Sequence, residues 1–363
     1  MTLSILVLSF LAAFAISLLS IPALVKVAEE KHLYDEPDDN RKNHLTRIPT
    51  LGGIAIFGGT VISATFFVNF SVLPAWGYAL SAVVMLFFTG LKDDIVPLSP
   101  AKKFGAQFVV ALIIVVKSDI RLTNFYGFLW IDAIDYYSSV VVSLFTILVI
   151  INAFNLLDGI NGLAGGIGCL AALIFAYFFY QFEAGNWAVI ALALAGSLLG
   201  FLWYNLRRKA LIFMGDTGSL LIGLFLAMFA IEFIELNYKI YNSGVKAWFK
   251  PSFAPVLAIT ILLLPLFDTL RVFCIRIASG RSPFSGDRHH LHHYLIDIGF
   301  SHPTASLVLY GLHLSFVGLI LLFTDFPQII SLLIISFLAF GFSMSMYYLK
   351  SRKLKKAIMQ GVS

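Results

Sequence analysis

Charge is what this sequence has least of. Asp, Glu, Lys and Arg make up 12% of its 363 residues, about half the share a water-facing globular protein carries. Apolar residues fill 59% of it, and mean hydropathy is +0.90. A chain this long can bury a large core, but burial alone does not hide so much apolar surface. A soluble enzyme, a disordered chain and a collagen-like rod are all excluded. Cysteine is scarce too: Cys169 and Cys274 lie in or beside apolar stretches and offer neither a disulfide framework nor a metal-ligand spacing. There is no repeat with a period of about 20–50 residues and no low-complexity linker, which leaves 1–363 as a single domain. No Lys or Arg precedes the first apolar run, and that run is too long for the core of a cleaved signal peptide, so it is read as an uncleaved helix.

What remains is an all-α polytopic membrane protein. A bilayer core of about 30 Å asks for roughly 20 apolar residues per helix. Eleven segments qualify: 3–25, 50–70, 73–91, 100–117, 136–154, 162–182, 186–204, 218–235, 253–272, 303–324 and 327–349. The fourth is short, and Ser99 followed by Pro100 extends it as an N-cap and first-turn proline. Eleven spans place the termini on opposite sides. With the C-terminus cytoplasmic and the N-terminus outside, 20 of the 25 Lys and Arg residues fall in inside loops, a strong positive-inside bias. The net charge of +5 is then a property of those loops, and no nucleic-acid partner is expected. The basic tail, Lys350 to Lys356, is read as a topology anchor at an anionic leaflet.

Acids at the ends of apolar helices are costly and invite a functional reading. Asp93, Asp94, Asp158, Asp216 and Asp268 all fall at the cytoplasmic boundary of this topology. Glu232 and Glu235 fall at the other face and are read as interfacial helix ends. Singly, each acid is as simply a solvated helix terminus or a cap; five at one depth, with bases and amides beside them, point to a site. The adjacent Asp93 and Asp94 repel unless one is protonated or a cation neutralises them, and hard oxygen ligands of this kind suit Mg²⁺. In Asn152 to Gly162, Asn155 and Asp158 share a helix face if the helix persists that far. Asp216 opens a helix, with Asn205, Arg207, Arg208 and Lys209 before it, where an anion is favoured. Finally, four of the eight histidines lie within 289–293, flanked by Arg276, Arg281 and Arg288. No zinc motif such as H-E-x-x-H is present, whereas Arg and His together suit a nucleotide diphosphate. Nearby cations would depress the histidine pKa values and keep the rings neutral. Carboxylates for a divalent cation and bases for phosphates form the inventory of phosphoryl transfer. One soluble and one lipid substrate are expected. The active site would be built from 26–49, 92–104, 155–162, 205–218 and 273–302.

Five motifs, in order, carry a resemblance: Pro49-Thr50-Leu51-Gly52-Gly53, Asp93-Asp94, Asn152 through Ala164, Phe213 through Ser219, and Ser282-Pro-Phe to Asp287-Arg-His-His-Leu-His-His. Nearly the whole chain resembles the polyprenyl-phosphate N-acetylhexosamine-1-phosphate transferases (glycosyltransferase family 4). The form of the histidine loop looks like the branch that transfers GlcNAc-1-phosphate from UDP-GlcNAc. The muramoyl-pentapeptide branch of peptidoglycan synthesis, which typically has three consecutive histidines, is the alternative. The resemblance implies that undecaprenyl phosphate attacks the β-phosphorus of a UDP-N-acetylhexosamine and releases UMP, with Mg²⁺ (or Mn²⁺) as cofactor. It implies Asp216 as the metal ligand, Asp93 or Asp94 at the lipid phosphate, and Asp158 and Asn205 near the uridine with Phe213 stacked on it. Arg47, Lys102 and Lys103 would meet phosphates. Asn155, Asn161, Arg276, His290, His292 and His293 complete the substrate-binding set. Many members carry a second aspartate where this chain has Asn161, an amide without charge. Membrane lipids surround the protein, a homodimer is allowed, and the bacterial inner membrane is the implied location. An ion-coupled transporter is the reading from another class, but its site would lie near the midplane between repeats. A CDP-alcohol phosphatidyltransferase is excluded, because Ile160, Asn161 and Gly162 follow Asp158-Gly159 where its D-G-x-x-A-R pattern needs Ala and Arg.

Overall fold

The computed structural model describes residues 1–31, 48–207, 209–244, 250–282 and 288–359. The protein is all-helical over these residues, with one isolated extended bridge, Asn124 to Ala133. In chain order the helices are α1 (Leu3–Lys31), α2 (Gly52–Phe67), α3 (Ala75–Ile95), α4 (Pro100–Leu112), α5 (Tyr136–Leu157), α6 (Leu163–Gln181) and α7 (Gly185–Asn205). There follow α8 (Gly215–Asn242), α9 (Phe253–Ile261), α10 (Leu263–Ala278), α11 (Leu291–Ile298), α12 (His302–Ile320) and α13 (Gln328–Met359).

Each of the eleven apolar segments folds as helix, yet among the described residues only eight helices are long and apolar enough to cross a bilayer. The number rises to nine if α9 and α10, bent by 77° at Leu262, are one broken span. The bend has a local cause. Pro265 has no N–H to bond the carbonyl of Ile261, and its ring crowds that carbonyl, so the segment expected to be continuous over 253–272 restarts. The two other shortfalls are differences of length. With 16 residues, α2 rises about 24 Å. In α4, Ser99 sits in the extended N-cap conformation with Pro100 behind it, but the helix ends at Leu112 and runs on as a π turn, Ile113–Lys117.

Without water to expel between helices, membrane helices associate through close packing and small residues. The α1–α7 contact shows this. A side chain added at Gly200 would meet the Phe14 carbonyl oxygen at 2.8 Å, and one at Gly196, four residues earlier, would strike the Phe10 carbonyl oxygen. Neither backbone can yield without parting the helices. At the centre stands α8, with 89% of its most apolar stretch buried, against 28% for α1 and 22% for α13. Phe175, Phe179 and Trp187 surround its Phe229 with ring centroids 5.8–6.3 Å apart. This central helix starts at one end of the bundle, where α3 and α5 finish and α4 begins.

Candidate active site

The start of α8 is the keystone of that end. Gly215 takes a left-handed φ of +70°, and a side chain there would meet the Asp94 carboxylate oxygens at 2.6 Å. The helix has no side-chain cap of its own. Asp94, at the end of α3, supplies one: its Oδ1 accepts from the Asp216 N–H at 2.6 Å, and its Oδ2 from the Thr217 N–H at 3.0 Å and the Thr217 hydroxyl at 2.5 Å. Helix N-termini leave backbone donors unpaired, and a carboxylate satisfies them with charge assistance. The α3 backbone comes close enough for this because Gly90 lies against Thr217, where an added side chain would meet the Thr217 Cα at 2.5 Å. The 49–53 motif closes the other side with main-chain bonds. Phe213 N–H donates to Pro49 O (2.7 Å), Gly52 N–H to Phe213 O (2.9 Å) and Gly53 N–H to Met214 O (2.9 Å).

Asp94 being committed to the cap, Asp94→Ala should lower the thermal midpoint in detergent by the equivalent of about 2–3 kcal/mol. Asp93→Ala, whose partners are the Leu98 N–H and Lys103, should cost less than half of that. Equal midpoints for the two variants would contradict the cap.

The cap leaves the Asp216 side chain free to face inward. Its Oδ2 lies 2.5 Å from the Lys103 Nζ of α4, which also pairs with Asp93 Oδ2 at 3.1 Å. Its Oδ1 accepts from the Asn155 amide at 2.5 Å, and that amide also reaches Ser219 Oγ at 3.0 Å. One turn back on α5, Asn152 donates to Gln107 of α4 at 2.7 Å. Asp158 ends α5 as its C-cap residue. Burial, with the nearby Asp216 and Asp94 charges adding, pushes its carboxyl up to about 7.

The histidine segment forms a second cluster. Asp268 of α10, 2% exposed, accepts from Leu291 N–H (3.1 Å) and from Arg271 Nη2 (2.8 Å), and pairs with His290 Nδ1 at 2.8 Å. Arg271 also bonds the His289 carbonyl. The rings of His290 and His292 stack 5.5 Å apart, and His292 and His293 are 4.3 Å apart. Burial drives His292 down to about 3, with the His293 charge second, and drives His293 down to about 4, with Arg288 second. Neutral rings were expected from nearby cations; desolvation is the larger cause. His292 Nδ1 is buried with no hydrogen-bond partner among the described residues, while its ring lies over Gly159, where any side chain would strike it. That contact joins the histidines to the residue next to Asp158, making one continuous site.

A sequence model of glycosyl transferase family 4 matches residues 76–234. Similar proteins include the decaprenyl-phosphate N-acetylglucosaminephosphotransferase of Mycobacterium leprae, 35% identical over 294 residues, covering 74% of this chain and 72% of that one. The chain belongs to this family. The undecaprenyl-phosphate alpha-N-acetylglucosaminyl 1-phosphate transferases of Yersinia pestis and Escherichia coli K12 are each 28% identical, covering 91% of this chain and 89% of theirs. It is a multi-pass membrane transferase.

Within this family-4 chain, Asp93, Asp94, Lys103, Asn155 and Asp216 are bonded into one network. Asp158, His290, His292 and His293 border it. Arg276 is buried on α10, its guanidinium 5.9 Å from the Phe273 ring. Lys102 is exposed on the first turn of α4. Two of the expected donor contacts, the amides of Asn205 and Asn161, are bonded within the protein. Asn205 accepts from the Gly162 N–H at 2.6 Å and donates to the Ile212 carbonyl at 2.8 Å, tying two loops together. Asn161 is 8% exposed, its amide 3.4 Å from the Arg207 carbonyl and 3.4 Å from His302 Nδ1. Phe213 contributes the main-chain seam described above. Arg47, Arg208 and Asp287 lie outside the described residues. The role of Asp268 was missed, although a lone acid on an apolar helix three residues before Arg271 is the signal for it.

Proposed function

We propose that this protein transfers N-acetylglucosamine-1-phosphate from UDP-N-acetylglucosamine to undecaprenyl phosphate, at the cytoplasmic face of a bacterial inner membrane. The observation that carries this is the pairing of Asp93 and Asp216 across one cation, the Lys103 ammonium, beside buried neutral imidazoles. Two relatives are named for GlcNAc phosphotransfer to decaprenyl or undecaprenyl phosphate, which supports the transferred group and the polyprenyl acceptor. Counting α2 and α4 as spans and α9–α10 as one gives eleven crossings, an outside N-terminus and a cytoplasmic C-terminus, in line with the positive-inside bias.

The donor set fits a magnesium ion. Among the described residues no three His, Cys, Asp or Glu side chains gather into a metal cage, and Mg²⁺ is usually held by one or two carboxylates with waters and phosphates completing its shell. Asp216, with Asp93, would hold it, and bound Mg²⁺ supplies neutralisation of phosphate charge. The chain's own groups do the rest. Lys103 is placed to meet a phosphate. His290 and the neutral His292 would hydrogen-bond the donor, with Asp268 fixing the His290 ring. Asp158, its carboxyl raised to about 7 by burial, would lie near the uridine, and Asp93 would face the acceptor phosphate. An oxygen of that phosphate forms the new bond to the β-phosphorus as the bond to UMP breaks.

The test uses membrane vesicles of both orientations with radiolabelled donor. Inside-out vesicles should form lipid-linked product and UMP with UDP-GlcNAc, and sealed right-side-out vesicles should not. Product from right-side-out vesicles alone would reverse the topology. Turnover with UDP-MurNAc-pentapeptide alone would replace the substrate.

A further inference from the structure

An eight-residue helix such as α11 does not hold itself together in water, yet it carries His292 and His293 and must keep their rings fixed. Its first turn is anchored by Asp268, as described. The other end is gripped by a different part of the chain. Helix α13 runs on past its apolar stretch, and the extension lies along α11. Lys350 Nζ pairs with Asp297 Oδ2 at 2.8 Å, while Arg288 takes Asp297 Oδ1 at 3.0 Å. Lys353 Nζ donates to the carbonyl of Ile298, the last residue of α11, at 2.8 Å. That carbonyl is one of those a helix leaves unpaired, where a cation is favoured. Tyr294 lies between the two anchors, with the Arg271 guanidinium 5.1 Å from its ring, the Lys350 ammonium 4.8 Å from it and the Tyr347 ring 5.9 Å from it. The end of α11 is a left-handed Gly299, φ +116°, and an added Cβ there would meet Lys353 Nζ at 3.0 Å.

We propose that the extension of α13 is a strap that positions the histidine helix for the nucleotide sugar, with Lys350 and Lys353 as positioning residues. This replaces the reading of those two lysines as topology anchors. It rests on the donor-binding role given to His290 and His292 above. The lysines touch no reacting group; they act by setting where the His292 ring meets Gly159. Removing them should loosen donor binding and leave the acceptor side, built on α3, α4, α5 and α8, unaffected.

The experiment compares the full-length wild type, Lys350→Met with Lys353→Met, and the charge-keeping Lys350→Arg with Lys353→Arg, all in lipid nanodiscs. The double-Met protein should show a rise of about five-fold in the UDP-GlcNAc KM, with kcat and the lipid-phosphate KM within about two-fold of wild type. The double-Arg protein should retain most of the wild-type donor affinity. A donor KM unchanged in the double-Met protein, or equal losses in both KM values and kcat, would overturn the strap. Hydrogen exchange at 291–298 reads the same contact without turnover. Faster exchange in the double-Met protein, and not in the double-Arg one, supports the strap even if UDP-GlcNAc proves not to be the donor. Unchanged exchange overturns it. A wild type that releases no UMP sinks the functional reading alone.

Discussion

Asp216→Asn should lose about a thousand-fold or more in kcat while its thermal midpoint stays within about 1 °C of wild type. The separation follows from the division of labour at the start of α8. Folding there depends on Asp94, which caps the helix through the Asp216 and Thr217 N–H groups; the Asn variant keeps that backbone donor. What it loses is the charge that pairs with Lys103 and with Asp93's shared cation. The amide carries no charge, so Lys103 is left with Asp93 as its one paired carboxylate and the negative charge of the site is reduced. Parallel kinetics and thermal unfolding check it. Activity above about a tenth of wild type would remove Asp216 from the chemistry, and a large drop in midpoint would make it structural.

Asp158→Asn should abolish most transfer and at the same time stabilise the protein at alkaline pH. Its carboxyl, ordinarily near 3.8, is held near 7 by burial and by the Asp216 and Asp94 charges. A raised carboxyl pKa means that the folded state favours the protonated form. Its contribution to stability is therefore intact below about pH 4, is lost as pH rises toward 7, and above 7 the ionised group strains the fold. Asparagine never ionises, so the variant should gain about 2–4 kcal/mol at pH 8 and little at pH 4. Thermal midpoints of both proteins across that range, in chelator, test the claim. A gain that does not depend on pH would point to a packing effect instead. A loss of about a hundred-fold in kcat is expected beside it if the group handles a proton.

The all-helical membrane class followed from composition, and the eleven apolar runs each became helix because length and hydropathy act within a segment. What lay outside the reach of such a reading were effects between segments or below the scale of a span. The break at Leu262 is signalled only by Pro265, one residue inside an otherwise apolar run. Hydropathy does not mark where α2 stops at Phe67 or where α4 passes into a π turn at Ile113. In the site, the acids were legible because a charge at a helix end stands out against an apolar background. Their individual duties were not. Asp93 and Asp94 are neighbours in the chain and do unrelated things: one faces Lys103, the other caps a helix more than a hundred residues away. Asn205 looks like a ligand group in the sequence and is a loop clamp in the fold, since an amide serves both purposes equally well. The tail lysines could be read as anchors because charge alone does not say which partner it meets.

The seam between 49–53 and 213–214 is made of main chain alone, and this bears on which changes the gene can absorb there. Amide and carbonyl groups are the same in every residue but proline, so exchanges at Thr50 or Leu51 leave the seam's bonds in place. A deletion or insertion of one residue between Pro49 and Gly53 does not. It shifts every donor off its acceptor and carries Gly53 away from Thr217, the residue that Asp94 must reach. Alignments of this stretch across the family should therefore tolerate variety in letters at 50 and 51 and show no gaps.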